Sequence, residues 1–451
     1  MSVVPNSPAG SYFFPQDAAI DELSITTASG QKFQLRQLMI ELSIFEDIYS
    51  FVMSGYVTLK DGVGIIENMA LTGKELITIK FGKTKDDGGE TYKFRLYSIP
   101  SRKPVGNLTS EYIKLYFCSE ELMISEQTKV TKSYTGYQIS DIVDDIMWEY
   151  MRIPSNRRYV IQPTIGVYDF NVPTLRPLET ISWLSVYARP ATGTGNMNLA
   201  DMLFFETKNG FNFRSLTSLY SDPVYKTYKY QQQNISNSVE PPSEDIISVL
   251  DYDFVKTFDS LNDIAAGTFA NKLISLDPVT RSANVTVFDY KKDYQRSLNP
   301  GDPLSTSVNR LGETQNQAYN GVIKMAISNS GQKLKPYIAE GSVAQDIFLE
   351  TFVPNRTAQI ALSNFTVLKI KIPGDPFVTA GKVINFNFPS LFGGKDKELD
   401  KFYSGKYLVT AVRHILQSQG VYQTVLEIAK ESTPQTPQAV NSMVIPSGFK
   451  L

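Results

Sequence analysis

Thr72-Gly73-Lys74-Glu75-Leu76-Ile77-Thr78-Ile79-Lys80-Phe81 and Thr379-Ala380-Gly381-Lys382-Val383-Ile384-Asn385-Phe386-Asn387-Phe388 are the two stretches that decide the fold. Each runs a Gly-Lys turn into a segment with an apolar residue at every second position, the period of a half-buried β-strand. Aligned on their Gly-Lys pairs, the two alternations are one residue out of step. A β unit used twice points to a building block of a larger assembly more than to an enzyme built around one pocket.

The neighbourhood of the first stretch continues the pattern. Asp86-Asp87-Gly88-Gly89 reads as a turn, after which Tyr92, Phe94 and Leu96 alternate with Lys93 and Arg95. Ile113, Leu115 and Phe117 then share one face, with Tyr112, Lys114 and Tyr116 on the other, as in antiparallel strands with one side on a core. From about residue 135 the period changes. Ile139, Ile142, Val143, Ile146, Met147 and Tyr150 predict a helix with one apolar face, Ser140 as its N-cap and Asp141, Asp144 and Asp145 near its positive end. A second helix is expected to start at Pro177 and stop before Pro190, with Leu178, Ile181, Leu184 and Ala188 as its stripe. Asn209-Gly210, set between Leu203-Phe204-Phe205-Glu206 and Phe211-Asn212-Phe213-Arg214, is a strong hairpin signal. Residues 230–245 read as a polar linker. Leu250 to Tyr290 mixes a short helical stretch with a strand at Ala283–Tyr290, and 295–345 is polar and loop-rich. Around the second stretch, Leu368, Ile370 and Ile372 alternate with Lys369 and Lys371, and Lys406–His414 and Tyr422–Ile428 complete the strands.

At 451 residues the chain exceeds one ordinary core, and roughly two to four domains are expected. Charged residues make up 20% and apolar residues 42%, which fits a soluble globular chain. No apolar run reaches the roughly 18 residues of a membrane span, and Met1 to Pro15 lacks the basic and apolar regions of a signal peptide. A net charge of −2 gives no global attraction to nucleic acid or an anionic membrane. The one cysteine, Cys118, allows no disulfide within the chain, consistent with assembly in a reducing cytosol. The 25 tyrosines and 26 phenylalanines favour strands and broad contact surfaces over helical bundles.

Tests for chemistry come back negative. Asp61-Gly62-Val63-Gly64 opens like a dinucleotide fingerprint, but Glu67 holds the third glycine position; Gly193-Thr194-Gly195 fails likewise at Asn198. Gly73-Lys74 and Gly394-Lys395 resemble the end of a P-loop, yet Glu75 and Asp396 stand where a magnesium-binding hydroxyl belongs. One histidine, His414, and one cysteine exclude most His/Cys zinc sites and the Ser-His-Asp and Cys-His arrangements. His414 reads as a strand residue with a backbone or carboxylate partner, and Cys118 as a small buried hydrophobe. Asp144, Asp145 and Glu149 could supply a glycosidase acid pair but lie on the polar side of their helix. Asp86 to Glu90 lacks the spaced oxygen ligands of a calcium loop. The aromatic strands could serve sugars or single-stranded nucleic acid, but Tyr92-Lys93-Phe94-Arg95 puts aromatic and basic side chains on opposite faces. No catalytic, cofactor-binding or metal-ligating residue is assigned.

Three groups of motifs, in order along the chain, resemble the baseplate central hub proteins of contractile-tailed bacteriophages. Glu41-Leu42-Ser43-Ile44-Phe45-Glu46-Asp47-Ile48, Ser54-Gly55-Tyr56-Val57-Thr58-Leu59-Lys60-Asp61-Gly62 and Leu71-Thr72-Gly73-Lys74-Glu75 look like the family's first tube-like module, in which a strand ending in Asp-Gly, a short helix and Gly-x-Glu lead into an edge strand. Pro177-Leu178-Glu179-Thr180-Ile181-Ser182-Trp183-Leu184 and the Phe204–Arg214 hairpin resemble its middle region. Pro373-Gly374-Asp375, Gly381-x-Val383-Ile384 and Tyr403-Ser404-Gly405-Lys406-Tyr407-Leu408-Val409-Thr410 resemble its second module.

The fold implied is α+β and β-dominated, with two tail-tube-like antiparallel β-barrel or sandwich modules and a mixed α/β middle domain. The expected division is an N-terminal arm at 1–19, a first tube-like module at 20–118, a middle domain at 119–235, a second module from 245–300 and 360–432, an insertion at 301–359 and a tail at 433–451. The resemblance further implies a structural, non-enzymatic homotrimer in the virion's tail baseplate, assembled in the host cytoplasm. It would adapt the hexameric tail tube to a trimeric central spike or cell-puncturing protein. It would also contact other baseplate proteins and line a channel through which tape measure and DNA pass without specific binding. No cofactor and no membrane enter this reading. Its alternatives are the hub of a non-phage contractile injection system and a carbohydrate-binding or carbohydrate-active β protein.

Overall fold

The structure, a computed structural model, describes residues 19–431 apart from 63, 65–67, 70, 83–90, 106–109, 155–156, 192–199, 231–245, 278–280, 294–320, 328–348, 390–398, 401 and 419. The expected arm, linker and tail, the Asp86–Glu90 turn, and the Gly193 and Gly394 motifs therefore lie wholly or almost wholly outside the described residues.

The N-terminal region supplies strands β1 (Ala19–Thr26), β2 (Lys32–Gln34), β3 (Met39–Asp47), β4 (Ser54–Asp61), β5 (Leu76–Gly82), β6 (Thr91–Val105) and β7 (Ser110–Cys118). A middle region follows, with α1 (Glu120–Gln127), β8 (Ser133–Tyr137), α2 (Ile139–Asp145), β9 (Tyr159–Ile161), β10 (Tyr168–Asn171), α3 (Pro177–Ser185), β11 (Met202–Thr207), β12 (Gly210–Ser215) and α4 (Leu216–Tyr220). Next come β13 (Val224–Tyr230), β14 (Ile246–Val249), β15 (Asp251–Lys256), α5 (Ser260–Ala266), β16 (Ala270–Asp277), β17 (Ser282–Asp289), α6 (Tyr290–Asp293), β18 (Ile323–Ile327) and α7 (Leu349–Ser363). The chain closes with β19 (Thr366–Pro373), β20 (Val383–Asn387), β21 (Gly405–Gln417) and β22 (Tyr422–Lys430).

The two opening stretches become β5 and β20, and the alternation read from them holds. Ile77, Ile79 and Phe81 are buried, as are Ile384, Phe386 and Phe388, while Thr78, Lys80, Asn385 and Asn387 face outward. Each strand sits at the same place in a repeated path. In the first unit the order is β3-β4-β7-β6-β5-β1; in the second it is β15-β19-β22-β21-β20-β13. Register matches as well as order. Leu76 pairs with Arg95 and Arg95 with Cys118; Val383 pairs with Leu408 and Leu408 with Ala429. Even the irregularity recurs, between Leu96 and Ser98 in β6 and between Val409 and Ala411 in β21.

This pairing explains the one-residue mismatch. Leu96 N–H donates to the carbonyl of Glu75, and Val409 N–H to that of Lys382, so Glu75 corresponds to Lys382 and Thr72 to Thr379. What repeats is the strand and its hydrogen bonds; the Gly-Lys pair sits one residue earlier in the first turn. There the Glu75 carboxylate accepts from the N–H groups of Thr72 and Gly73 at 2.7 and 2.8 Å. Gly73 and Gly381 both have φ near the left-handed region, +86° and +87°, where a side chain would be strained.

Each unit has its own apolar cluster. Leu42, Ile44, Val57, Ile77, Phe94, Leu115 and Phe117 belong to the first, and Leu368, Ile370, Ile384, Phe386, Leu408, Leu426 and Ile428 to the second. Fourteen strands nevertheless form one sheet, because β21 pairs with β22 on one edge and with β20 and then β3 on the other. The sheet corrects the expectation that Gly-x-Glu leads into an edge strand. β5 lies between β1 and β6 and is interior.

The middle region has a third core, built from Ile139, Ile142, Val143, Ile146, Leu178, Ile181, Leu184, Phe204, Phe211 and Phe213. Pro177 opens α3 as expected, and the Asn209-Gly210 turn joins β11 to β12, with Phe204 opposite Phe213. Gly210 cannot be replaced there, since a Cβ would lie 1.8 Å from the Arg158 carbonyl oxygen. Ser140 is not an N-cap. Gln138 takes that position, and Ser140 is buried one residue into the helix, its N–H on Thr164 Oγ1 at 3.0 Å. The last turn of this apolar stripe, Ile146–Tyr150, is a π-helix.

β16, β17 and β18 form a separate three-stranded sheet. Phe269, Phe288 and Tyr290 pack there against Ala358 and Leu362 of α7. The described parts of 301–359 thus fold with residues 270–293, where the sequence reading divides them between the second module and an insertion. β15 and β16 were not separately expected, because Asp251 to Lys256 alternates charged residues with Tyr252 and Phe254 too briefly to stand out. Among the described residues no helix is long and apolar enough to cross a membrane.

Candidate functional site: the junction of the two repeats

The long strand β21 decides how the two units meet. Its first part pairs with β20, and after the irregularity at Val409/Ala411 its remainder pairs antiparallel with β3, from Ala411 opposite Asp47 to Gln417 opposite Glu41. On the outer face of this junction Arg413 reaches across. Its Nη2 donates to Glu41 Oε1 at 3.2 Å, Ser43 Oγ at 3.2 Å and Tyr56 Oη at 2.7 Å, and the Tyr56 hydroxyl donates to Glu41 at 2.7 Å. Lys114 lies 3.6 Å from the centroid of the Tyr56 ring, a cation–π contact. These hydrogen bonds hold the Glu41 carboxyl below the usual carboxylate range, against the opposing effect of burial.

Beneath the junction two carboxylates are buried. Glu46 follows Leu42 and Ile44 on the inward face of β3. It accepts the N–H of Lys208, in the β11–β12 turn, at 2.9 Å and that of Ala380, in the second Gly-Lys turn, at 3.0 Å. One side chain therefore ties both repeats to the middle region. Burial pushes its pKa up to about 7, opposed by those two N–H donors. Glu206 in β11 accepts from Met53 N–H at 2.9 Å and pairs with Arg157, which also meets Glu121 at 2.6 Å. Burial likewise raises Glu206 to about 7. Glu46 was missed from sequence as a site residue, though the signal was present: an acid on the apolar face of an alternating strand needs buried partners.

The residues tested earlier for chemistry do not converge. His414 lies in β21, fully buried, with Nδ1 2.9 Å from the Tyr422 hydroxyl; its partner is a phenol, not the expected backbone or carboxylate group. Burial lowers its pKa to about 3, so the ring is neutral. Cys118 ends β7, buried, its thiol pushed up to about 11 by burial. Asp145 and Glu149 both take Lys132 Nζ, at 2.9 and 2.8 Å, and Asp145 also accepts from the Tyr134 hydroxyl at 2.7 Å. Asp144 is exposed. Asp61 ends β4 and accepts from Gly64 N–H at 2.9 Å, a turn rather than a phosphate cradle. An apolar hollow of about 430 Å³, lined by Gly73, Tyr97, Cys118, Leu122, Met123, Glu126 and Gln127, contains no pair of acids. Among the described residues no three His, Cys, Asp or Glu side chains cluster as metal ligands.

The junction is therefore a repeated β unit fused through a shared sheet, with buried carboxylates joining segments distant along the chain. No family model matches the chain. It is 22% identical over 409 residues to the "Probable baseplate hub protein gp334" of Vibrio phage KVP40, covering 87% of this chain and 89% of that one. In fold it is similar to a tail protein from Neisseria meningitidis MC58, with TM-score 0.52 and 10% identity, over 92% of this chain and 99% of that one. A 43 kDa tail protein of prophage MuSo2 from Shewanella oneidensis is similar at TM-score 0.50 and 8% identity, over 91% and 98% of the two chains. In sequence the chain is thus similar to a phage baseplate hub protein, and in fold to tail proteins.

Proposed function

We propose that this protein is a phage baseplate hub that acts as a homotrimeric ring in which two β units per chain present six similar elements, matching a hexameric tail tube on one side and a trimeric central spike on the other. The observation that carries this reading is the strand path repeated in register in the two units. Three copies of a doubled unit are the simplest way to meet both symmetries. The ring would line a channel for tape measure and DNA, touch neighbouring baseplate proteins and perform no catalysis. Among the described residues, the carboxylates singled out from sequence are scattered and His414 is buried, which supports the last point.

Native mass spectrometry of the full chain, alone and mixed with tail tube and spike proteins, tests the stoichiometry. Three copies per particle are expected. A chain that stays monomeric in both settings overturns the proposal.

A further inference from the structure

The repeat makes it possible to ask which edges the two units leave open. Inside the chain, the far half of β21 in the second unit pairs with β3 of the first. The counterpart of β21 is β6, and the counterpart of β3 is β15. Among the described residues, β6 beyond Leu96 pairs only with β7, and β15 pairs only with β19. One junction of this kind is therefore made within the chain, and both halves of a second are present but apart.

Resting on the ring reading above, we propose that the outer edge of β15 in one copy pairs antiparallel with residues 101–105 of β6 in a second copy, with Asp253 opposite Lys103. The register follows from the internal junction. Ile415 pairs with Gln423 on one side and Ser43 on the other. Through the matching hairpins, Lys103, which pairs with Tyr112, stands where Ile415 does. Through the matching neighbours, Asp253, which pairs with Lys369, stands where Ser43, paired with Tyr56, does. The outward charges suit each other: Asp251 and Asp253 on β15 are exposed, as is Lys103 on β6, while Arg102 lies on the opposite face, paired with Glu111. The same equivalence puts Asp251 in the place of Glu41, which already makes an ion pair across the internal junction.

The new junction is weaker than its template. Ser418 N–H donates to Ile40 and Gln417 N–H to Val421, so alternate residues of β21, Leu416 among them, present their N–H to β3. Pro104 occupies the place of Leu416 and has no N–H to give. A proline at an outward position blunts an edge against indiscriminate pairing and leaves partner choice to the charges. The contact is also head-to-tail, so it can propagate, and it closes only if the rotation between units is constant. Reusing the internal junction supplies that constancy.

The test is disulfide trapping in the full chain. Position 103 faces position 253 at a pair corresponding to Ile415–Ser43, whose backbone groups point away from each other, a close spacing that a disulfide tolerates. Lys103→Cys/Asp253→Cys should give covalent trimers on mild oxidation, while an equal mixture of the two single variants should stop at dimers. As a reference, Ser43→Cys/Ile415→Cys should close within one chain. If native mass spectrometry finds trimers, the reference disulfide forms and 103–253 does not, the edge assignment is wrong and the ring stands. A protein that is monomeric, with no linkage at 103–253, overturns both. Open covalent chains longer than three keep the edge assignment and overturn the closed ring. An independent check uses charge alone: Lys103→Glu should lower the trimer fraction at least several-fold at low salt, and Lys103→Glu/Asp253→Lys should restore it. Failure of the double exchange to restore assembly counts against the pairing.

Discussion

The two repeats use one strand path to different ends. In the second unit, β21 is paired along both edges, by β22 on one side and by β20 and β3 on the other. In the first, the corresponding far half of β6 has only β7 among the described residues, and it carries Pro100 and Pro104. The lining strand differs too: β1 runs antiparallel to β5, whereas β13 runs parallel to β20. A duplicated unit thus conserves its hydrogen-bond register while its edges diverge, because the core fixes the first and the neighbours available to each edge fix the second.

The sharpest way to break the comparison is to exchange residues at one equivalent position. Gly55 pairs with Phe117, and its counterpart Leu368 pairs with Ile428. A Cβ on Gly55 would lie 2.4 Å from the Ser43 carbonyl oxygen and 2.5 Å from the Phe117 ring. Gly55→Leu should therefore cost more than ~3 kcal/mol and unfold the first unit, read as lost hydrogen-exchange protection in β3, β4 and β7. Leu368→Ala should cost about 3 kcal/mol through a cavity in the second. Equal tolerance of both changes would mean that the two cores are not distinct in the way their packing indicates.

Glu46 tests what holds the repeats together. Its pKa in the fold is raised to about 7, so it binds its proton more tightly folded than unfolded. Its stabilising contribution is full below about pH 4.5 and is lost as pH rises to about 7, a change on the order of 3 kcal/mol. Glu46→Gln should flatten the corresponding fall in Tm between those pH values, with Glu206 supplying the slope that remains; an unchanged slope refutes the assignment. His414 acts in the opposite sense. Burial depresses its pKa to about 3, so its contribution is present above about pH 6.5 and is lost as pH falls towards 3. At pH 5 that loss is about 2 kcal/mol, and His414→Gln should remove it, which acid-titrated unfolding would show.

Arg413 carries the smallest effect. Its ion pair with Glu41 is partly exposed, with 36% and 30% of the two side chains accessible, so Arg413→Ala should cost about 1 kcal/mol. The loss should be smaller at high salt. A much larger loss in urea denaturation would make the outer face of the junction, rather than the apolar layer beneath it, the main tie between repeats.

Local patterns were legible where one physical constraint acted alone. Alternation located β5, β7, β19 and β20, proline placed the start of α3, and Asn-Gly placed the β11–β12 turn, since each depends on backbone geometry or on one buried face. Ser140 was misplaced because a hydroxyl can cap a helix or bond elsewhere, and this one accepts from the N–H and hydroxyl of Thr164, distant in sequence. Glu46 escaped notice because its partners, Lys208 and Ala380, come from segments far along the chain. The repeat itself was seen one residue out of register, because the matching letters Gly and Lys are not the matching positions.

By itself, the sequence determined that this is a strand-rich chain with a β unit used twice, and its ordered motifs pointed to a phage baseplate hub. Those properties follow from side-chain period and local backbone preference, which act over a few residues. Only the tertiary structure decided that both units share one sheet, that β5 is interior, that Glu46 joins three segments, and which strand edges stay unpaired among the described residues. The pairing of β21 with β3 joins residues hundreds of positions apart, and no local pattern encodes that choice.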